Sequence, residues 1–220
     1  GPMFSDFPTY RILCVMSRYL GFQDSFCLAE PPFSLMNINM SGQFSSHITT
    51  SIFGGFIMAS PYIFWELWCF ILPALNNNET KMARGIVFFS SGLFLIGILF
   101  GYYIIAPLSV NFLGSYQVSS MVANQINLTS FISTVTTVSF ANGIIFELPV
   151  LVYFLTKAGF LTPNFMREYR KHAMIIILII SAIITPPDII SQVLVSFPLI
   201  ILYEISIKIS LRVIKNQENS

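Results

Sequence analysis

Uncharged, apolar runs alternate with short charged or proline-bearing connections along this chain. The first run extends from about His47 to Phe70 and the second from about Gly85 to Ala106, with Pro107 next. The third spans about Leu128 to Leu155, just ahead of Lys157. At about 1.5 Å per residue, each of these crosses a hydrocarbon layer of roughly 30 Å as a helix with some tilt. Two further runs are shorter. About 15 uncharged residues separate His172 from Asp188, and about 15 more separate Asp188 from Glu204. Each covers only about 22 Å of helix. They predict spans over about 173–185 and 189–207, a hairpin with TPPD at its tip. Such a pair sits inside the bundle or pulls the bilayer thin around itself.

The pattern therefore predicts an all-α integral membrane protein, a polytopic helical bundle of five spans with the last two short. Three regions follow: a segment over 1–45 outside the membrane, a transmembrane domain over 46–210, and a tail over 211–220. The first region holds the turn signals PPF, NIN and SG, and the stretch YRILCVMSRYL reads as an interfacial amphipathic helix. Its start, GPMFSDFPTYRILC, lacks the basic region and unbroken apolar run of a signal peptide. Because the first residue is Gly1 rather than Met, the chain is expected to be a fragment or a processed form.

Composition agrees with lipid as the solvent. Of 220 residues 55% are hydrophobic and 10% charged, with a mean hydropathy of +0.74. A soluble domain carries about 25% charged residues. The net charge of +1 excludes a broad basic footprint and with it nucleic acid as a partner. Lysine and arginine are unevenly placed. Lys81, Arg84, Lys157, Arg167, Arg170, Lys171, Lys208, Arg212 and Lys215 fall on one side of the predicted bundle, and Arg11 and Arg18 on the other. The positive-inside rule then puts the C-terminus in the cytoplasm and the N-terminal segment outside. Trp65 and Trp68, just before the first cytoplasmic connection, fit an interfacial aromatic belt. Cys14, Cys27 and Cys69 form no metal-ligand pattern; Cys14 and Cys27 either pair in an oxidising compartment or remain thiols.

Few groups are left to carry chemistry. Glu147 lies well inside the third run, and on a helix it shares a face with Thr136, Ser139 and Gly143. Two residues later Pro149 removes a backbone donor and frees the Ile145 carbonyl. A carboxyl beside a kink at membrane depth points to function, with interhelical bonding as the structural alternative, and it is expected to be protonated or polar-paired. Asp188 follows Pro186 and Pro187 as a helix N-cap, and with Gln192 and Ser196 it gives the last run a polar strip. Glu79 stands in the loop LNNNETKMARG. Glu66 and Glu204 lie near span ends and snorkel. No catalytic motif, metal set or phosphate loop is present in the sequence, so neither an enzyme nor a cofactor is expected.

These stretches carry a family resemblance. IMASPYIFWELWCFILPAL leading into an acid-bearing loop, FFSSGLFLIGILFGYYIIAPL, FELPV, LTPNFMREYRKHA and SAIITPPDIISQ follow one another as in TatC, and the region from about Gly42 to Ser210 resembles that family. The resemblance implies a receptor subunit of the twin-arginine protein translocase in the bacterial cytoplasmic (inner) membrane. Pro61, Phe70, Pro73 and Leu75 match the family's first-loop pattern, with Pro61 also a kink. Glu79 matches the glutamate implicated in gripping twin-arginine signal peptides, Glu147 the buried glutamate, and Asp188 and Gln192 the tip and polar helix that follow. It further implies a glove-like concave surface, single-span TatA and often TatB partners, self-association, and transport of folded proteins powered by the proton-motive force. The family has six spans, so the first helix is expected to be missing here. Thr80-Lys81 departs from a commoner basic pair after the loop glutamate.

Two mechanistic expectations follow: Glu79 pairs with signal arginines, and Glu147 with Gln192 forms one polar docking site for a partner helix. The alternative reading is a proton-coupled secondary transporter with Glu147 as carrier, against which stands the lack of an internal repeat.

Overall fold

The structure, a computed structural model, describes residues 34–71, 80–116, 125–185 and 189–218. YRILCVMSRYL, Cys14, Cys27, Pro73, Leu75, Glu79, Pro186, Pro187 and Asp188 lie outside the described residues.

A short strand β1 (Ser34–Met36) leads into helix α1 (Gly42–Ile71). The second apolar run forms α2 (Thr80–Phe100), a π-helical turn (Gly101–Ile105) and α3 (Ala106–Ser115). Strand β2 (Gln125–Asn127) precedes α4 (Leu128–Phe146) and α5 (Leu148–Lys157), which together make the third run. Then come a short α6 (Pro163–Glu168), α7 (Arg170–Ile184) and α8 (Ile189–Glu218). Among the described residues four stretches are long and apolar enough to cross a membrane, 42–70, 85–114, 128–157 and 191–215. At 15 residues α7 falls short of that length, as the spacing of charges predicts.

Two runs extend beyond their expected ends. The second does not stop at Ala106. Pro107 cannot donate to the Tyr103 carbonyl, and the widened π turn absorbs the missing bond so that helix continues to Ser115. The last run does not stop near Ile207, since α8 is 30 residues long. Lys208, Arg212 and Lys215 mark where apolar character ends, and lysine and arginine are good helix formers, so the helix itself carries on.

Parallel pairing of β1 with β2, Leu35 opposite Ile126, sets the starts of α1 and α4 side by side at one end of the bundle. We call this the ladder end. The described lysines and arginines gather at the other, basic end. There Thr162 caps α6 by accepting from the Phe165 N–H (3.3 Å), and Pro163 takes the first helical position. The preceding α5 stops at Gly159, whose φ of 80° is open to glycine at little cost.

Helices α2 and α4 cross with their backbones nearly touching. A Cβ placed on Gly97 would lie 2.8 Å from the Asn142 carbonyl, and one on Gly101 would lie 2.8 Å from the Ser139 Cα. Gly143 reciprocates from α4, where a Cβ would meet Ile98 at 2.7 Å. Phe53, Phe56, Phe94 and Phe140 close the outer side of this crossing by edge-to-face contacts that bring in α1. On the other side Ile105, Val138, Phe146, Ile177, Val195 and Leu199 form the main core and tie in α7 and α8. Large apolar side chains such as Phe56, Met58, Phe88 and Ile183 remain outward, where lipid replaces protein.

Replacing Gly97 or Gly101 with Val should therefore force the crossing apart and cost about 1–3 kcal/mol. Gly54→Ala and Gly92→Ala, where an added Cβ meets nothing within 4 Å, should be nearly silent. Thermal unfolding in detergent micelles checks both.

Candidate functional site

Glu147 stands at the break between α4 and α5. Pro149, second in α5, has no N–H to return to Ile145, so the ladder of hydrogen bonds is interrupted there. The chain recovers locally: the Glu147 N–H donates to the Ile144 carbonyl (3.1 Å), and its carbonyl accepts from the N–H groups of Val150 and Leu151 (both 3.0 Å). The break turns the side chain toward α2, where the Ser90 hydroxyl donates to Oε2 at 2.6 Å.

A cavity of about 320 Å³ opens in front of this pair. Its walls come from α1, α2 and α5, including Phe64, Trp68, Ile86, Val87 and Phe154. Leu67 and Leu151 at its rim are more than half exposed, so it opens sideways at hydrocarbon depth. Trp68 is only 5% exposed and meets Phe154 in a tilted ring contact with centroids 4.7 Å apart. It does not belong to an aromatic belt, a role left to Trp65. Two polar atoms of the cavity wall are buried without a partner, the indole Nε1 of Trp68 and Oε1 of Glu147.

The other singled-out residues sort by their neighbours. Thr136 and Ser139 donate to the carbonyls of Ile132 and Val135 on their own helix, and Gly143 faces Phe94, so the stripe leading to Glu147 is a packing seam. Pro61 lies inside α1 without ending it; the Ile57 carbonyl that it deprives of a donor accepts from the Ser60 hydroxyl at 2.8 Å. Phe70 is 84% exposed at the basic end.

Gln192 is on α8, and its amide donates to the Leu178 carbonyl of α7 at 3.2 Å. The expectation of one docking site built from Glu147 and Gln192 is therefore corrected. Glu147 faces a cavity walled by α1, α2 and α5, whereas Gln192 staples the two last helices. The Ser90 hydroxyl holds the Glu147 carboxyl toward α2, while the Gln192 amide bonds within the α7–α8 pair.

Sequence reasoning missed Trp68 and Ser90 as site residues. The spacing of Phe64 and Trp68, four apart, was the available signal for a shared inward face; Ser90 meets Glu147 across 57 positions of chain, which no local pattern encodes.

At the basic end Arg170 donates to the Glu204 carboxylate at 2.6 Å, and the Tyr203 hydroxyl donates to the Met166 carbonyl at 2.8 Å. With both acid and base partly exposed, the ion pair contributes no more than about 1 kcal/mol; its effect is to hold α6 and α7 against α8.

Residues 9–198 match the protein family described as Sec-independent protein translocase protein (TatC). A protein of that name from Blattabacterium sp. subsp. Periplaneta americana is 39% identical over 99% of this chain and 82% of its own length. The corresponding protein of Helicobacter pylori strain 26695 is 42% identical over 74% of this chain, which spans 64% of that relative. A crystal structure of the twin arginine translocase receptor TatC in DDM superposes with a TM-score of 0.69 at 33% identity, covering 94% of this chain and 92% of the other.

Ser90→Ala removes the one hydroxyl bonded to Glu147 Oε2 and should destabilise the fold by about 1–3 kcal/mol. Combined with Glu147→Leu, it should cost less than the two single changes added together, because the second removes the atom left unpaired by the first. Equilibrium unfolding of the four proteins in micelles provides the cycle.

Proposed function

The chain belongs to the TatC family of Sec-independent protein translocase proteins, and from this we propose that its basic end receives twin-arginine signal peptides on the cytoplasmic face. One observation carries the reading. The cavity ending at Ser90 and Glu147 is walled by the last turns of α1 and the first turns of α2, the two helices that the segment bearing Pro73, Leu75 and Glu79 joins in sequence.

The parts divide the work of recognition. The Glu79 carboxylate is matched to a guanidinium, which presents two parallel N–H groups where lysine presents a point charge. An exposed pair of this kind supplies only about 0–1 kcal/mol. The apolar segment that follows the arginines must add the remainder, and Phe70 is exposed where that segment arrives. From Thr80 to Ser90 is ten residues of helix, about 15 Å. An apolar helix of similar length entering the cavity sideways would reach the carboxyl while staying in hydrocarbon.

Transport in this proposal needs partners. Single-span TatA and TatB subunits associate with the bundle at the α7–α8 side, where Gln192 lies, and copies of the chain associate with one another. The 15-residue α7 leaves about 8 Å of a 30 Å hydrocarbon layer uncovered, so the bilayer thins beside it. The proton-motive force drives passage of the folded passenger there. No step involves a covalent intermediate or a cofactor.

A twin-arginine peptide bearing a photo-reactive group beside the arginines should label Phe70 and the 72–79 connection. Glu79→Gln, or lysines in place of the peptide arginines, should lower labelling several-fold. Label confined to residues at the ladder end would overturn the proposal. Glu147→Ala should reduce insertion of the peptide's apolar part, and Gln192→Ala should reduce crosslinking to a single-span partner. Wild-type transport in both would remove the two intramembrane sites from the mechanism.

A further inference from the structure

The cavity in front of Glu147 is a slot about one leaflet deep. Its floor is the Glu147–Ser90 pair, and one wall runs up α5, which at 10 residues covers about 15 Å, half of a roughly 30 Å hydrocarbon layer. Lys157 ends α5 at the basic end, so the slot lies in the leaflet on that side. Phe64, Trp68, Ile86, Val87 and Phe154 line it, and it opens to lipid between the outward Leu67 and Leu151. We propose that, before any guest arrives, this slot is a binding site for one acyl chain of a phospholipid from the basic-side leaflet. The inference concerns the bundle without a guest and stands apart from the reading of the cavity as a signal peptide's seat.

The occupant follows from the chemistry of the walls. A water molecule held in a cavity needs roughly two to four polar partners. Here the polar groups are withdrawn. Ser90 donates to the Glu147 carboxyl at 2.6 Å, the Phe94 backbone N–H faces that carboxyl from α2, and Trp68 Nε1 and Glu147 Oε1 are both buried below the surface of the slot. What a guest meets is therefore carbon. An empty slot would forfeit dispersion contacts along its whole wall, and a sealed apolar void stays empty only because nothing reaches it. This one is open, and the solvent at its mouth is hydrocarbon. The volume also fits. A water molecule's share of its liquid is about 30 Å³ and a methylene takes about as much, so 320 Å³ has room for on the order of ten methylenes, most of one acyl chain. A whole helix, about 10 Å across, would need several times that volume over the same length. A guest helix thus fills the slot with a row of its side chains, and it and the acyl chain exclude one another.

The test uses the full chain with Trp65→Phe in phosphatidylcholine nanodiscs. Trp68 is then the single emitter, because the chain has 2 tryptophans. One set of lipids carries bromine, a short-range quencher, in the upper half of one acyl chain, and a second set carries none. Bromine inside the slot should lower Trp68 emission several-fold. Val87→Phe, which fills the slot with a ring, should restore most of that emission. A phospholipid with a diazirine at the same carbons should, in the unaltered chain, label Val87 and Phe154 inside the slot as well as the outward Phe88. The labelling keeps the proposal falsifiable should Val87→Phe not fold.

Quenching undiminished in folded Val87→Phe, or label confined to Phe88 and other outward residues, would overturn the inference and leave signal reception standing. A twin-arginine peptide added to the brominated nanodiscs separates the two readings. Emission recovered on arginine-dependent binding would show the peptide taking the place of the acyl chain, in support of both. Quenching that persists with the peptide bound would overturn the slot as the guest's seat and leave the acyl chain in it.

Discussion

The near contact of α2 with α4 sets the register of everything around it. With no side chain at Gly97, Gly101 and Gly143, two helix backbones approach until dispersion forces act over the whole crossing. Between helices in lipid such packing replaces the hydrophobic effect, because leaving acyl chains for another helix removes no apolar surface from water. The same contact positions chemistry. Ser90 lies two turns from Gly97 along α2 and Glu147 one turn from Gly143 along α4, both toward the basic end, and so they meet. A slip of one turn would leave the carboxyl facing only hydrocarbon.

A second constraint runs through the breaks in these helices. Hydrocarbon offers no hydrogen bonds, so every backbone group freed by a proline must be satisfied from within. Ser60 does this for Pro61, and the π turn rearranges the ladder ahead of Pro107. At Pro149 the backbone finds its own partners, and the side chain of the residue at the break is left free to point into the cavity. Hydroxyls such as those of Ser139 and Ser206 are bonded within their own helices.

The two ends of the bundle are built differently. At the ladder end β1 and β2 clamp the starts of α1 and α4 through backbone pairing, independent of side-chain identity. At the basic end the clamps are side chains, with Arg170 on Glu204, Tyr203 on Met166, and Thr156 on Ser210 at 2.9 Å inside the contact of α5 with α8. Thus one end of the bundle is pinned by backbone pairing and the other by individual side-chain bonds.

The shortness of α7 was legible in the spacing of charged residues, because charge at membrane depth is costly and apolar length maps onto helix length, whereas the second and last helical runs reach further than that spacing indicated. Glu147 could be singled out for the same reason. The sequence alone also determined that helices would have to continue or break at Pro61, Pro107 and Pro149. Which of the two occurs was decided by packing: α1 runs through Pro61, the second run crosses Pro107 by way of the π turn into α3, and α4 yields to α5 ahead of Pro149. Only tertiary structure put Ser90 against Glu147, turned Trp68 inward, and assigned Gln192 to a different pair of helices from Glu147. Periodicity tells which residues of one helix share a face. It carries no information about which helix that face meets, since this depends on a crossing formed by glycines far apart in the chain.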